Sequence, residues 1–113
     1  MNKVELIGRL TKDLTLAETT KGVKYAKFNL AIQRKYKNEE GNPDADFISC
    51  VAWEKLAETL VKYTHKGDRI SIVGHLQSRQ YESEGKTKYA LEVMVDEMYI
   101  IDYAEKQSDK IDF

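Results

Sequence analysis

Apolar and polar residues alternate along several stretches of the chain, and this two-residue period predicts β-strands with one buried face. The four clearest stretches span residues 3–10, 25–32, 46–53 and 69–81. Ser83-Glu-Gly85 then predicts a hairpin tip, after which a strand returns over residues 87–95. On this return strand the alternation favours burial of Tyr89, Leu91, Val93 and Val95. Residues 97–103 are compatible with one more short strand.

The third strand gives way to a helix. Within residues 46–53 a set of small apolar side chains, typified by Cys50, alternates with a set that contains Phe47 and Trp53. Because a narrow barrel has little interior room, we predict that the small set points inward and the aromatic pair outward. Residues 54–66 then repeat apolar side chains at three- and four-residue steps, which predicts a helix that Gly67 ends.

Five strands with one helix between the third and the fourth predict an all-β protein. The absence of a strand–helix–strand alternation favours a five-stranded Greek-key barrel, the OB-fold, over a parallel sheet. A split sandwich is the alternative, because strand number does not distinguish a closed barrel from two packed sheets. The chain of 113 residues has room for one domain, which we place at residues 1–103, followed by a short polar tail at 104–113.

Composition narrows the class of protein only a little. Eighteen basic and nineteen acidic residues give a net charge of −1, so a polyanionic partner must be sought in local clusters of cations. A single cysteine and the lack of a signal-peptide pattern indicate a reducing, cytoplasmic setting. No apolar run is long enough to cross a bilayer, so we expect no membrane partner.

Four aromatic residues lie in or at the ends of the second, third and fourth strands, and cations accompany them. The aromatic residues are Tyr36, Phe47, Trp53 and Tyr81, and the cations are Arg34, Lys35, Lys37, Lys55 and Arg79. Single-stranded nucleic acid presents unstacked bases and a charged backbone, so a protein that binds it needs flat rings and a track of positive charge. This combination predicts a nucleic-acid-binding face.

Burial in the core is the competing interpretation for each ring. Trp53 taken alone has even odds of packing inside, since large aromatic residues usually bury most of their surface. Tyr36 is in phase with Phe28 and Ile32, so strict alternation would bury it. It can face outward only if a bulge or a strand end near Arg34 changes its direction.

Enzyme chemistry finds less support. Acidic residues, typified by Asp44 and Asp46, cluster in the turn-rich loop that joins the second and third strands. They lack the spacing of a cation-binding loop and are interpreted as a solvated acidic segment. Cys50 falls on the inward phase, where a thiol behaves as a small apolar group rather than a nucleophile. One cysteine and two scattered histidines are too few for a zinc site. We therefore predict a binding protein with no cofactor, no metal and no catalytic residue.

Several segments of residues 1 to about 103 resemble the bacterial single-stranded DNA-binding protein family. They are residues 2–13, Phe28-Asn-Leu-Ala-Ile32, Trp53-Glu-Lys-Leu-Ala57, Lys66-Gly67 and Gly74-His-Leu-Gln-Ser-Arg-Gln-Tyr81. The resemblance implies an OB-fold that assembles, usually as a homotetramer, and binds single-stranded DNA without sequence preference in replication, recombination and repair. It places the stacking rings on Tyr36, Phe47, Trp53 and Tyr81, and it implies a location at the nucleoid. Composition alone leaves RNA-binding and protein-binding OB modules open.

The end of the chain departs from that family's pattern. Family members usually carry a long linker and an acidic tip that recruits replication and repair enzymes. Here the linker is nearly absent, and Ser108-Asp-Lys-Ile-Asp-Phe113 keeps Ile111 and Phe113 while Lys110 and Asp112 replace the family's acid and proline. The resemblance implies that such partners dock through Ile111 and Phe113, and the altered tip weakens this expectation.

Overall fold

A single sheet of six strands curls into a closed barrel in the computed structural model, which describes residues 1–41 and 43–104. The elements are β1 (Val4–Leu10), β2 (Ala17–Glu18), β3 (Lys24–Lys37), β4 (Pro43–Trp53), α1 (Glu54–Tyr63), β5 (Arg69–Ser83) and β6 (Lys86–Asp102). The five long strands are those predicted from the sequence. Since β2 has only two residues, α1 still lies between the third and fourth long strands, as predicted.

Closure comes from a second partner for β1. The strand order is β1-β5-β6-β4-β3-β2, and β1 also pairs with β3 through Arg9 opposite Ala31 and Leu10 opposite Leu30. The sheet therefore returns on itself, which rules out the split sandwich. All pairings are antiparallel except the short one between β4 and β6, where Cys50 lies opposite Val93.

Two glycines allow strands to come unusually close at the points where the barrel bends. A Cβ added at Gly8 would lie 2.6 Å from the carbonyl oxygen of Ala31, which is on the strand that closes the barrel. One added at Gly74 would lie 2.1 Å from the carbonyl oxygen of Met94. No side chain fits at such distances, so both strands need glycine there.

The predicted inward phases form the core. On β3 and β4 the buried side chains of the inward phase are Ala26, Phe28, Leu30, Cys50 and Ala52, and on β5 they are Ile70 and Ile72. Val51, on the opposite phase of β4, is buried as well but lies outside this core cluster. Ala57 and Leu60 of α1 pack against this cluster, with Leu10, Leu14, Val93 and Val95. The small set on β4 therefore points inward, as predicted from the width of the barrel.

The prediction for the return strand is wrong in two respects. Val93 and Val95 are buried, but Tyr89 and Leu91 are exposed because β5 and β6 extend beyond the barrel as a two-stranded ribbon. We call this ribbon, residues 78–91, the β5–β6 arm; Leu76, on the same phase of β5 as the buried Ile70 and Ile72, is also exposed at its base. Residues 97–103 do not form a separate strand, because β6 continues through a register shift beside Gly74 and ends at Asp102.

The helix ends earlier than its period indicated. α1 stops at Tyr63, and Thr64 is extended, with its backbone N–H and its hydroxyl both donating to the carbonyl oxygen of Leu60. Gly67 therefore does not end the helix. It has φ of +89°, and its N–H donates to the carbonyl oxygen of Leu10, so it forms the turn that leads into β5.

Candidate nucleic-acid interface

The outward face of β3 and β4 carries one row of cross-strand pairs. In register order the pairs are Tyr25 with Trp53, Lys27 with Val51, Asn29 with Ser49, and Ala31 with Phe47. The alternate residues on both strands are buried in the barrel, so this row faces away from the core. The predicted aromatic residues of β4 thus share one face with a lysine and two polar side chains.

Trp53 is fixed at the end of β4 by the turn into the helix. The next residue, Glu54, has φ of +53°, which redirects the chain into α1 and leaves the indole on the sheet's outward face. The ring is 40% exposed and lies 5.3 Å, centroid to centroid, from the ring of Tyr25 at an interplanar angle of 41°. One aromatic neighbour thus supports the indole and leaves part of it open for another flat group.

β3 and β4 form a ribbon outside the barrel, which we call the β3–β4 arm (residues 33–41 and 43–46). Tyr36 lies within this arm, and Phe47 follows directly after it on β4. Phe47 is 66% exposed and Tyr36 is 82% exposed. The pairing of β3 with β4 shifts register between Gln33 and Lys37, which is the irregularity that an outward-facing Tyr36 requires. The two rings therefore present open faces along the same pair of strands.

Tyr81 lies on the β5–β6 arm, on the same face of β5 as Arg79. Its ring is 40% exposed, and the guanidinium carbon of Arg79 lies 5.5 Å from the ring centroid. The Nε–H of Arg79 donates to Oε1 of Glu92 at 3.0 Å. Arg79 thus contacts an acidic residue on β6 and an aromatic ring on its own strand at the same time.

Arg34, predicted to contact phosphates, is held by two carboxylates of the β3–β4 arm. Its Nη2 lies 2.6 Å from Oδ1 of Asp46, and its Nη1 lies 3.3 Å from Oδ2 of Asp44. The hydrogen bond from Arg34 lowers the pKa of the Asp46 carboxyl below its ordinary value. The charge of this guanidinium is therefore already balanced in the free protein.

The predicted lysines differ from the arginines in this respect. Lys35 on β3 and Lys55 in the first turn of α1 are exposed, and neither forms an ion pair within residues 1–41 and 43–104. The side chain of Lys37 lies outside the described residues, as do Ile111 and Phe113 of the predicted docking segment.

Two adjoining grooves run across the outward face. The aromatic groove, of about 320 Å³, is lined by Tyr25, Trp53 and residues of β5 and β6, and the lysine groove, of about 280 Å³, is lined by Lys12, Asn29 and Ser49. Lys27, Arg79 and Glu92 line both. Trp53 and Arg79 are thus brought together in one groove, while Tyr36 and Tyr81 lie out on the two arms.

Several residues that line these grooves were not among the predicted site residues, and three of them, Tyr25, Lys27 and Lys12, are aromatic or cationic. Tyr25 and Lys27 lie on the outward phase of β3, opposite the buried Ala26 and Phe28, so the argument used for Trp53 applied to them as well. Lys12 comes from the segment that follows β1, where no period indicated a facing.

A third groove, a buried thiol and the potential metal ligands are further features of the described residues that bear on catalysis. The third groove, of about 490 Å³, lies beside Ile7, Arg9 and the β3–β4 arm, and none of its described lining residues is aromatic. Burial raises the pKa of the Cys50 thiol to about 12, which keeps it protonated at neutral pH. The described residues contain no group of three or more potential metal ligands and no helix that could cross a membrane.

Comparisons with known proteins match this chain to a single family. The family model described as the single-strand binding protein family matches residues 1–101. The chain is 43% identical over 103 residues to a single-stranded DNA-binding protein of Oceanobacillus iheyensis, covering 90% of this chain and 64% of that protein. It is 45% identical over 103 residues to single-stranded DNA-binding protein 1 of Streptococcus pyogenes, covering 90% of this chain and 79% of that protein.

The fold has a solved counterpart as well. A structure titled "Plasmodium falciparum SSB complex with ssDNA" matches with a TM-score of 0.77 and 23% identity, covering 90% of this chain and 96% of that chain. At this identity the likeness concerns the fold, and it confirms the predicted OB-fold.

Proposed function

This chain belongs to the single-strand binding protein family, and from that premise we propose that residues 1–103 bind single-stranded DNA without sequence preference. The proposed role is to protect unpaired strands during replication, recombination and repair, at the nucleoid in the cytoplasm. No catalytic step is proposed, since the relatives are named as binding proteins. Residues 104–113 form the proposed tail.

The observation that carries this proposal is the set of rings open to solvent along β3, β4 and β5. Trp53, Phe47, Tyr36 and Tyr81 all leave a large part of each ring exposed, although folding ordinarily buries such surface. Each can accept one unpaired base, and stacking is worth about 1 to 3 kcal/mol per base for any base type. Binding of this kind follows the strand rather than its sequence.

Cations supply the second half of the proposed interaction. Lys35, Lys55 and Lys27 are exposed beside the rings, and lysines without an acidic partner can neutralise phosphates directly. Lys37 belongs to the same proposed track by its position on β3. Arg34 and Arg79 already have carboxylate partners, so a phosphate must compete with these acids for either guanidinium.

We also propose that the chain assembles as a homotetramer, as the family resemblance implies. The face of the barrel formed by β1, β5 and β6 supports an assembly, because Ile7 and Tyr99 lie in one register row with Ser71 and are both largely exposed. An isolated subunit would leave this apolar row in water. We also propose that Ile111 and Phe113 recruit replication and repair proteins, and that the altered tip makes this docking weaker than in other family members.

The proposal is tested by comparing single- and double-stranded oligonucleotides at two salt concentrations, with the mass of each complex measured by light scattering. We expect much tighter binding of the single strand, weakening at the higher salt as counterions are released. Equal affinity for both forms would refute single-strand binding, and no binding of either would favour a protein-binding module. A preference for oligo(rU) over oligo(dT) would favour an RNA-binding one.

A further inference from the structure

Glu92 is a buried acid in the middle of a face proposed to bind a polyanion. It lies on β6 opposite Gln77 and beside the inward-facing Val93, so strand alternation directs it to the outward face. Even so, its side chain is only 8% exposed and lines both grooves. A carboxylate here repels phosphates unless its charge is balanced, so its presence calls for a role other than phosphate contact.

Arg79 balances the charge of Glu92 and also contacts the ring of Tyr81. Its Nε–H donates to Oε1 of Glu92 at 3.0 Å, which orients the guanidinium across the base of the β5–β6 arm. From this position its guanidinium carbon is 5.5 Å from the centroid of the Tyr81 ring. A planar guanidinium can donate a hydrogen bond to an acid at its edge and lie against a ring at the same time.

Tyr81 has little else to hold it. It lies beyond the barrel, in register with Lys88, in a ribbon whose residues 78–82 are all exposed. Arg79 is the one cation or aromatic group recorded in contact with its ring within the described chain. The orientation of this ring therefore depends on Arg79, and the orientation of Arg79 depends on Glu92.

We infer that Glu92 and Arg79 are positioning residues that present Tyr81 to the bound strand, and that Arg79 is not a phosphate contact. This inference rests on the proposed single-strand binding and revises the role assigned to one of its cations. The charge of Arg79 is balanced by Glu92 within the protein. Salt-dependent attraction of phosphates therefore comes from lysines such as Lys27.

Two conservative substitutions separate this role from phosphate contact. Arg79→Lys keeps the positive charge but lacks the planar fork, so a phosphate contact would survive while the presentation of Tyr81 would not. Glu92→Gln removes a negative charge from the grooves, so it would strengthen binding if Arg79 were a shielded phosphate contact. We expect each change to weaken oligo(dT) binding by about 5- to 10-fold, a part of one ring's stacking contribution.

The experiment measures affinity for labelled oligo(dT) over a series of salt concentrations, with Lys27→Ala as the matched control. For Arg79→Lys and Glu92→Gln the slope of log affinity against log salt should stay at the wild-type value, whereas Lys27→Ala should reduce it by about one. In a Tyr81→Ala background both substitutions should have almost no further effect, because their target is gone.

Several outcomes would overturn the inference. Unchanged binding by Arg79→Lys, tighter binding by Glu92→Gln, or full additivity with Tyr81→Ala would each do so. Circular dichroism melts check folding, and Arg79→Lys, which alters an exposed side chain, decides the question if Glu92→Gln does not fold. Failure of the wild-type protein to bind oligo(dT) would refute the proposed function itself, which is a separate result.

Discussion

Replacing Trp53 with alanine should weaken single-strand binding much more than it weakens the fold. The indole is 40% exposed and is supported on one side by the ring of Tyr25, 5.3 Å away. Loss of one stacking ring removes about 1 to 3 kcal/mol, which corresponds to a roughly 5- to 150-fold rise in Kd. Trp53→Phe retains a flat ring at the same place and should recover most of the affinity.

The effect on the free energy of unfolding follows from the partial burial of the same side chain. Truncating a fully buried tryptophan costs about 3 to 5 kcal/mol, and an aromatic pair contributes about 0.5 to 1.5 kcal/mol beyond its buried area. Trp53 lies at the sheet surface, so we expect a loss of ~1 to 2 kcal/mol, dominated by its contact with Tyr25. Urea unfolding followed by circular dichroism measures this term separately.

Fluorescence anisotropy of labelled oligo(dT) gives the affinity, and Ile72→Val is the matched control. Ile72 is fully buried in the barrel, so its truncation should lower stability by about 0.5 to 1.5 kcal/mol without changing Kd. Equal losses of affinity in Trp53→Ala and Ile72→Val would mean that unfolding, not stacking, explains both. An unchanged Kd in Trp53→Ala would refute stacking on this ring directly.

Three further predictions concern the groove, the barrel and the thiol. Lys27→Ala should reduce the salt slope of oligo(dT) binding by about one, and an unchanged slope would remove Lys27 from the phosphate track. Gly74→Ala places a Cβ 2.1 Å from the carbonyl oxygen of Met94, so urea unfolding should show a loss of about 1 to 3 kcal/mol. The exposed control Ser78→Ala should stay within about 0.5 kcal/mol of wild type, and equal stability of both variants would contradict the close approach. Cys50, buried and with its pKa raised to about 12, should resist iodoacetamide in the native protein under mildly alkaline conditions and react in denaturant; rapid native labelling would show that the thiol is accessible.

The sequence predicted the barrel well wherever one strand face packs on the core. Alternation on β4 separated the set with Cys50 from the set with Phe47 and Trp53, and the narrow width of the barrel indicated that the small set points inward, as the structure shows. Burial of one face imposes a two-residue period on a strand, so the phase is recorded in the residues themselves. The register shift that accompanies an exposed Tyr36 was also anticipated, and it lies between Gln33 and Lys37, which includes the predicted position near Arg34.

The β5–β6 arm is where the burial predicted from the sequence was wrong. Tyr89 and Leu91 continue the alternation of Val93 and Val95, but they extend past the end of the barrel and have no core to face. How far a hairpin projects beyond the barrel depends on where strands distant in the sequence close the barrel. The local pattern of apolar and polar residues carries no information about that closure. The period of β6 therefore gave the correct phase and the wrong burial.

Electrostatic partners were equally hidden from the sequence. Arg34 meets Asp46 across the β3–β4 arm, and Arg79 meets Glu92 across the β5–β6 pairing. Each pair joins residues on adjacent strands, so charges that look available along the chain are balanced in the folded protein. Lys35 and Lys55, interpreted in the same way from the sequence, have no such partner in the described part of the structure, and the difference emerges only from the folded arrangement.

The central claim is that exposed rings on the outward face stack on unpaired bases, and Trp53 reports on it directly because it is the chain's only tryptophan. Its fluorescence should be monitored while oligo(dT), or a duplex of equal length, is added at constant salt. We predict strong, saturable quenching by the single strand and little change with the duplex. An unchanged emission spectrum at saturating oligo(dT) would contradict the account.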